Sequence, residues 1–126
     1  MDKPESKHIE EIYENYRRYY GELPEWVAQM GQMAPDALYH YHAMRKIALE
    51  DRALPRKVKE LILIGINLIR RYPTGIKVHI KGALDAGCTP AEIAEVFVTA
   101  MVSGAASSLI EGPSFLAEEL AQRGGK

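Results

Sequence analysis

The sequence predicts an all-α fold, held in a single domain over residues 1–126. Three observations carry that expectation. Apolar residues recur at helical spacing along nearly the whole chain. No stretch alternates apolar and polar residues as a half-buried strand must. The prolines fall where helices start and stop, and several glycines fall with them. A chain of 126 residues is also long enough for one hydrophobic core.

His8 to Tyr20 reads as the first helix, with Ile9, Ile12, Tyr13, Tyr16 and Tyr20 mostly on one face and charges opposite; Gly21 and Pro24 end it. A short helix follows from Trp26 to Met33. Pro35 suits the first turn of the third helix, where Leu38, Tyr41, Met44, Ile47 and Ala48 keep helical spacing between Asp36 and Glu50. Asp51 to Leu54 is a turn. Pro55 opens a fourth helix that runs to about Tyr72. Its charged start, Arg56, Lys57, Lys59 and Glu60, gives way to Leu61-Ile-Leu-Ile-Gly-Ile-Asn-Leu-Ile69, apolar on all sides. A helix apolar all round is buried all round, and in a chain this small that implies cover from partner subunits. Pro73-Thr-Gly75 interrupts the chain before a fifth helix, Ile76 to Ala86, with Gly87 as its left-handed cap. Thr89-Pro-Ala-Glu92 is the clearest helix start: Thr89 caps, Pro90 fits the first turn and Glu92 completes a capping box. The sixth helix aligns Ile93, Val96, Phe97, Ala100, Met101 and Gly104. It ends in the small residues 103–108, which permit close helix contact. Gly112-Pro113 separates it from a final helix ending before Gly124.

Composition narrows the function. Apolar residues make up 47% and charged residues 26%, and 16 basic against 17 acidic residues leave a net charge of −1. There is no basic excess to neutralise a phosphate backbone, so no nucleic-acid partner is expected. A polybasic membrane anchor is missing too. The apolar run Leu61 to Ile69 falls far short of the about 20 residues that cross a bilayer. The first seven residues are polar and charged, unlike a signal peptide. Cys88, the one cysteine, cannot form an intrachain disulfide. The expected compartment is the cytoplasm.

Few residues offer chemistry. The chain has no glycine-rich phosphate loop, His-Glu-x-x-His or nucleophile elbow. Cys88 stands beside a helix start, which can lower a thiol pKa, yet it has no partner nearby in sequence; a small residue filling a turn is the plainer reading. Glu60 sits at the edge of the most apolar helix. There it is either a partly desolvated carboxyl suited to acid–base work or an exposed first-turn glutamate complementing the helix dipole. His79 shares a face with Ile76, Ala83 and Leu84, so its ring points at least partly inward, as a core residue or as a catalyst. His40 and His42 are two apart on a helix, splayed by about 200°, and cannot chelate one metal together. A metal site would need one of them to converge with Glu60 and His79, and none is expected.

From Leu54 to about Gly104 (a core of about 54–106), the chain resembles the carboxymuconolactone decarboxylase and alkylhydroperoxidase D-like superfamily. The likeness lies in Leu54-Pro-Arg-Lys-Val-Lys-Glu60-Leu-Ile, in His79, Ala83 and Gly87, and in Thr89-Pro-Ala-Glu-Ile93 followed by an apolar helix with a late glycine. In that family a helix glutamate precedes a helix histidine by nineteen residues, as Glu60 precedes His79. Peroxidase members carry Cys-x-x-Cys seven and four residues before the histidine, where this chain has Tyr72 and Gly75. Without those thiols disulfide-forming peroxide chemistry has no route, and the resemblance is to the cysteine-free, decarboxylase-like branch. It implies an alkylhydroperoxidase D-like bundle of about six to seven helices, assembled as a trimer or hexamer into a homo-oligomeric ring. It also implies an apolar small-molecule pocket beside the histidine.

On this basis the expected function is that of a cofactor-free lyase or isomerase acting on a small organic acid, with His79 and Glu60 as the acid–base pair. The alternative is a non-catalytic oligomer that binds a small ligand or is purely structural. Arg45, Arg52, Arg56, Lys59 and Lys77 are all candidates to bind a substrate carboxylate. Tyr39, Tyr41, His40 and His42 are candidates to line the pocket. Geometry makes the pair demanding. Glu60 lies about 20 Å along its helix from Pro73, and His79 reaches back only about 9 Å, leaving roughly 10 Å to be closed by a tilt, an uneven break or a neighbouring subunit.

Overall fold

The computed structural model describes residues 6–104 and 106–124. Among the described residues there are seven α-helices and no strand: α1 (Ser6–Tyr20), α2 (Glu25–Met33), α3 (Pro35–Leu49), α4 (Arg56–Arg70), α5 (Pro73–Asp85), α6 (Pro90–Ser103) and α7 (Ser107–Gln122). None is long and apolar enough to cross a membrane. The chain divides after Glu50 into two compact units, and each has its own cluster of buried apolar side chains.

The first unit holds α1–α3. The α1 stripe behaves as its spacing predicts: Ile12 and Tyr16 are buried, with Ile9, Tyr13 and Tyr20 packed around them. Val27 of α2 and Leu38 of α3 complete the cluster. The expected α3 stripe differs, since Tyr41, Met44 and Ile47 are exposed and Leu38 alone of its large side chains is buried. Trp26 meets the rings of Tyr16 and Tyr41 edge-on, and the Arg45 guanidinium lies over Tyr16 and Tyr20. Burial pushes the Tyr16 phenol up to about 12.

The second unit holds α4–α7, and two terminal signals read from the sequence shape it. Gly87 takes φ +95°, and the amides of Gly87 and Cys88 donate to the carbonyls of Leu84 and Ala83, closing α5 in a Schellman motif. The capping box follows at once: the Glu92 amide donates to Thr89 Oγ1 at 3.1 Å, and the Thr89 amide donates to Glu92 Oε1 at 2.9 Å.

Three boundaries depart from expectation. Helix α5 begins at Pro73, because proline fits a first turn whose amide needs no partner. The α4–α5 connection is therefore only Arg71 and Tyr72, and Arg71 makes it possible by adopting φ 57°, ψ 45°. A non-glycine residue there is uncommon; its guanidinium is tied to Glu111 at 2.9 Å. Helix α6 stops at Ser103, and α7 runs through Gly112-Pro113 instead of starting after it. Gly112 is buried with the Phe97 ring against its backbone, 2.7 Å from where a Cβ would stand. It serves as a packing point between α6 and α7, and tertiary contact overrides the local breaking tendency. In the small-residue run 103–108, Ala105 and the side chains of Ser107 and Ser108 lie outside the described residues, while Gly104 lies against Ile69.

Helix α4 is not enclosed on all sides by its own chain. Ile64, Asn67 and Leu68 face the core, whereas Ile62, Ile66 and Ile69 remain 47%, 47% and 48% exposed along one stripe. A cavity of about 810 Å³ follows this stripe between α4 and α6, with Leu61, Ile62, Ile66 and Val96 among its walls.

Candidate active site

Helices α4 and α5 form an antiparallel hairpin whose inner faces carry polar residues at matched positions. Glu60 and Asn67 are seven residues apart on α4, two turns along one face. Gly75 and Gly82 have the same separation on α5. Around the turn at Arg71–Tyr72 the register sets Glu60 against Gly82 and Asn67 against Gly75, and both contacts are observed. A Cβ on Gly82 would lie 2.6 Å from Glu60 Cδ and 2.7 Å from each carboxylate oxygen, and a Cβ on Gly75 would collide with the Asn67 carboxamide. Glycine in mid-helix costs about 1 kcal/mol relative to alanine. At these two positions it gives a buried polar side chain room to lie against bare backbone.

Glu60 is 2% exposed, so of its two readings the buried carboxyl is the one observed. His79 lies one turn before Gly82 on the same face of α5, and its side chain is 11% exposed. The pair meets within one subunit: His79 Nδ1 is 2.8 Å from Glu60 Oε2. The expected gap of roughly 10 Å closes because α4 already ends at Arg70 and only two residues make the turn. In the register that sets Glu60 against Gly82, His79 is offset by three positions, or about 5 Å of axial rise, which two long side chains span. A carboxylate only accepts hydrogen bonds, so its natural partner here is an Nδ1–H, and Nε2 is the ring nitrogen not engaged with Glu60. The other carboxylate oxygen, Oε1, accepts from Arg56 Nε at 3.3 Å, one helical turn back on α4.

Asn67 fills the space that a thiol at position 75 would need. Its Nδ2 donates to the Leu63 carbonyl at 2.8 Å, and its Oδ1 accepts from Arg70 Nη1 at 3.4 Å. Tyr72, the other position without a thiol, lies under the Arg70 guanidinium. Cys88 is buried and contacts the Lys57 carbonyl at 3.6 Å. Burial, reinforced by the Glu92 carboxylate, pushes its thiol up, opposite to the lowering that a helix start alone would produce.

Of the five candidate cations, Arg56 contacts Glu60, Lys77 pairs with Glu118 at 3.5 Å and lies over Phe115, and Arg45 belongs to the first unit's aromatic cluster. Tyr39, His40, Tyr41 and His42 also belong to the first unit, where His40 meets Tyr39 and His42 meets Tyr16. Among the described residues no three of His, Cys, Asp and Glu converge as metal ligands would. The cavity along α4 and α6 is lined by neither Glu60 nor His79. Sequence reasoning passed over Gly82 and Asn67. The signal was present in the paired seven-residue spacings 60/67 and 75/82, which acquire meaning once the hairpin register is known.

Comparison with known proteins bears on the fold and the family. Over 94% of its length the chain superposes on 96% of a crystal structure from Burkholderia xenovorans LB400, named for carboxymuconolactone decarboxylase, with a TM-score of 0.78 and 26% identity. A carboxymuconolactone decarboxylase family protein from Legionella pneumophila shares the fold, with a TM-score of 0.66 and 22% identity over 88% of this chain and 93% of that one. No curated protein matches the chain. A sequence profile of the carboxymuconolactone decarboxylase family matches residues 35–111, more than half of the chain, and the chain belongs to that family.

Proposed function

We propose that the protein is a cofactor-free lyase or isomerase for a small organic acid, in which His79 moves the proton and Glu60 holds His79. The hydrogen bond between His79 Nδ1 and Glu60 Oε2, buried within the α4–α5 hairpin, carries the reading. In a decarboxylation the bond from carbon to the carboxylate breaks and carbon dioxide leaves. The electron pair passes into a conjugated carbonyl of the substrate itself. His79 Nε2, which has first taken a proton from solvent, delivers it to the resulting carbanion and returns to its lone-pair form; the Glu60 carboxylate balances the imidazolium before the transfer. Isomerisation uses the same group to remove a proton at one carbon and return it at another. Substrate approaches the small exposed part of the ring, and Arg56 is the cation in contact with the pair.

One observation favours the alternative of a non-catalytic ligand binder: the large apolar cavity lies along α4 and α6, away from His79. A panel of small acids bearing conjugated carbonyls, followed by proton NMR, separates the two readings. Turnover of a panel member that vanishes in His79→Gln supports the enzyme; binding without turnover in either protein favours the binder. Hydroperoxide with a dithiol reductant serves as the redox arm. No consumption is expected from the protein or from Cys88→Ser, and consumption lost in Cys88→Ser would restore a thiol mechanism.

The same reading includes self-association as a trimer or hexamer. The exposed stripe of Ile62, Ile66 and Ile69 is the kind of apolar surface that partners cover, and Val98 and Val102 on α6 are exposed as well. Light scattering at micromolar concentration is expected to give a multiple of the 14.1 kDa chain mass. A monomer there sinks this part of the proposal.

A further inference from the structure

We propose that Gly82 and Arg56 are positioning residues that act through Glu60, and that together they decide which nitrogen of His79 faces the substrate. The inference rests on the reading of His79 as the proton-moving group. A glutamate side chain is flexible and can satisfy its oxygens in many ways. Here that freedom is removed from two sides. Gly82 presents bare α5 backbone, and the whole carboxylate lies against it, with Cδ, Oε1 and Oε2 all 2.6–2.7 Å from where a Cβ would project. In that seat Oε2 faces His79 Nδ1 at 2.8 Å and Oε1 faces Arg56 Nε at 3.3 Å.

The two positioning residues divide the work. Arg56 precedes Glu60 by four residues on α4, and its side chain is 34% exposed. It supplies the countercharge from the rim while the carboxylate stays inside the hairpin. Gly82 follows His79 by three residues, so the residue that makes the room and the residue that uses the carboxylate share one face of α5. With both oxygens engaged, His79 keeps its proton on Nδ1 and turns Nε2 toward solvent and substrate as an acceptor. If the seat is lost, Arg56 alone constrains the carboxylate, through Oε1 and not through the oxygen that faces His79.

The test reads the tautomer directly and needs no substrate. In protein labelled with nitrogen-15 at its four histidines, long-range proton–nitrogen correlations distinguish a protonated ring nitrogen from an unprotonated one. His79 is assigned by its loss in His79→Gln. In the unaltered protein at neutral pH, Nδ1 is expected to carry the proton and Nε2 to be bare. Gly82→Ala places a methyl against the far end of the Glu60 side chain, which can swing aside, and the Nδ1–H signature is expected to be lost. Arg56→Gln is expected to weaken it, and Arg56→Lys, which keeps the charge, to restore it. An unchanged signature in both Gly82→Ala and Arg56→Gln overturns the proposal and leaves the Glu60–His79 pair standing. Absence of the signature in the unaltered protein overturns the underlying reading, and the proposal with it. Should Gly82→Ala fail to fold, Arg56→Gln at the rim decides alone.

Discussion

His79→Leu is expected to lower the unfolding free energy by about 1.5–3 kcal/mol, the usual worth of a hydrogen bond to a buried charged group. The loss comes from what stays behind. Glu60 is 2% exposed, and without His79 its Oε2 keeps the burial and loses its partner. Arg56 still serves Oε1, which holds the effect below the full cost of an isolated buried charge. The double variant Glu60→Leu/His79→Leu is expected to recover most of the loss, since replacing both members by apolar groups of similar volume is nearly neutral. Activity follows the opposite rule. Once a substrate is in hand, both variants lose turnover by about 10²–10⁴-fold, the contribution of a positioned acid–base group. Urea unfolding at neutral pH measures the first effect and initial rates the second. A double variant less stable than the single one would show that the unpaired carboxylate was not the source of the loss.

Phe97→Ala is expected to be the most damaging core substitution, at about 3–5 kcal/mol, through lost burial and the cavity left behind. Phe97 is 2% exposed and belongs to the second unit's core with Ile64, Leu68, Ile93 and Leu116. Its ring occupies the space that a Cβ on Gly112 would need, so α7 approaches α6 closely at this point. The converse change, Gly112→Ala, drives a methyl into that ring and is expected to cost about 1–3 kcal/mol as overpacking. Combined with Phe97→Leu, which withdraws the ring, the added methyl should be tolerated better than alone. Denaturant midpoints for the three variants check this. A loss below about 1 kcal/mol for Phe97→Ala would remove the ring from its role in the core.

Helix content and most helix ends were legible in the sequence because their causes are local. The Schellman cap at Gly87 and the capping box at Thr89 and Glu92 act across a handful of residues, so their types and spacing suffice. The same locality misled at Pro73 and at Gly112-Pro113. Both read as breaks, yet one is a first-turn proline and the other lies inside α7. At Gly112 packing against Phe97 overrode the local signal, whereas at Pro73 the proline serves as a helix start instead of a break.

The candidate pair divides in the same way. The sequence alone determined that Glu60 and His79 are nineteen residues apart on successive helices and that two thiol positions hold Tyr72 and Gly75. It also determined the family resemblance that those spacings carry. Whether the pair meets depended on the hairpin register, which a left-handed Arg71 sets by shortening the turn to two residues. The seat at Gly82, the Arg56 contact and the Asn67 side chain filling the place of a thiol all follow from that register. Which part of the apolar α4 surface the chain itself leaves uncovered, Ile62, Ile66 and Ile69, was likewise a matter of tertiary packing, where the sequence implied only that partner subunits cover part of the helix. The physical reason is range. Caps and periodicity are settled over one or two helical turns, whereas contact between helices depends on their axial offset, and a shift of one turn moves each partner by about 5.4 Å.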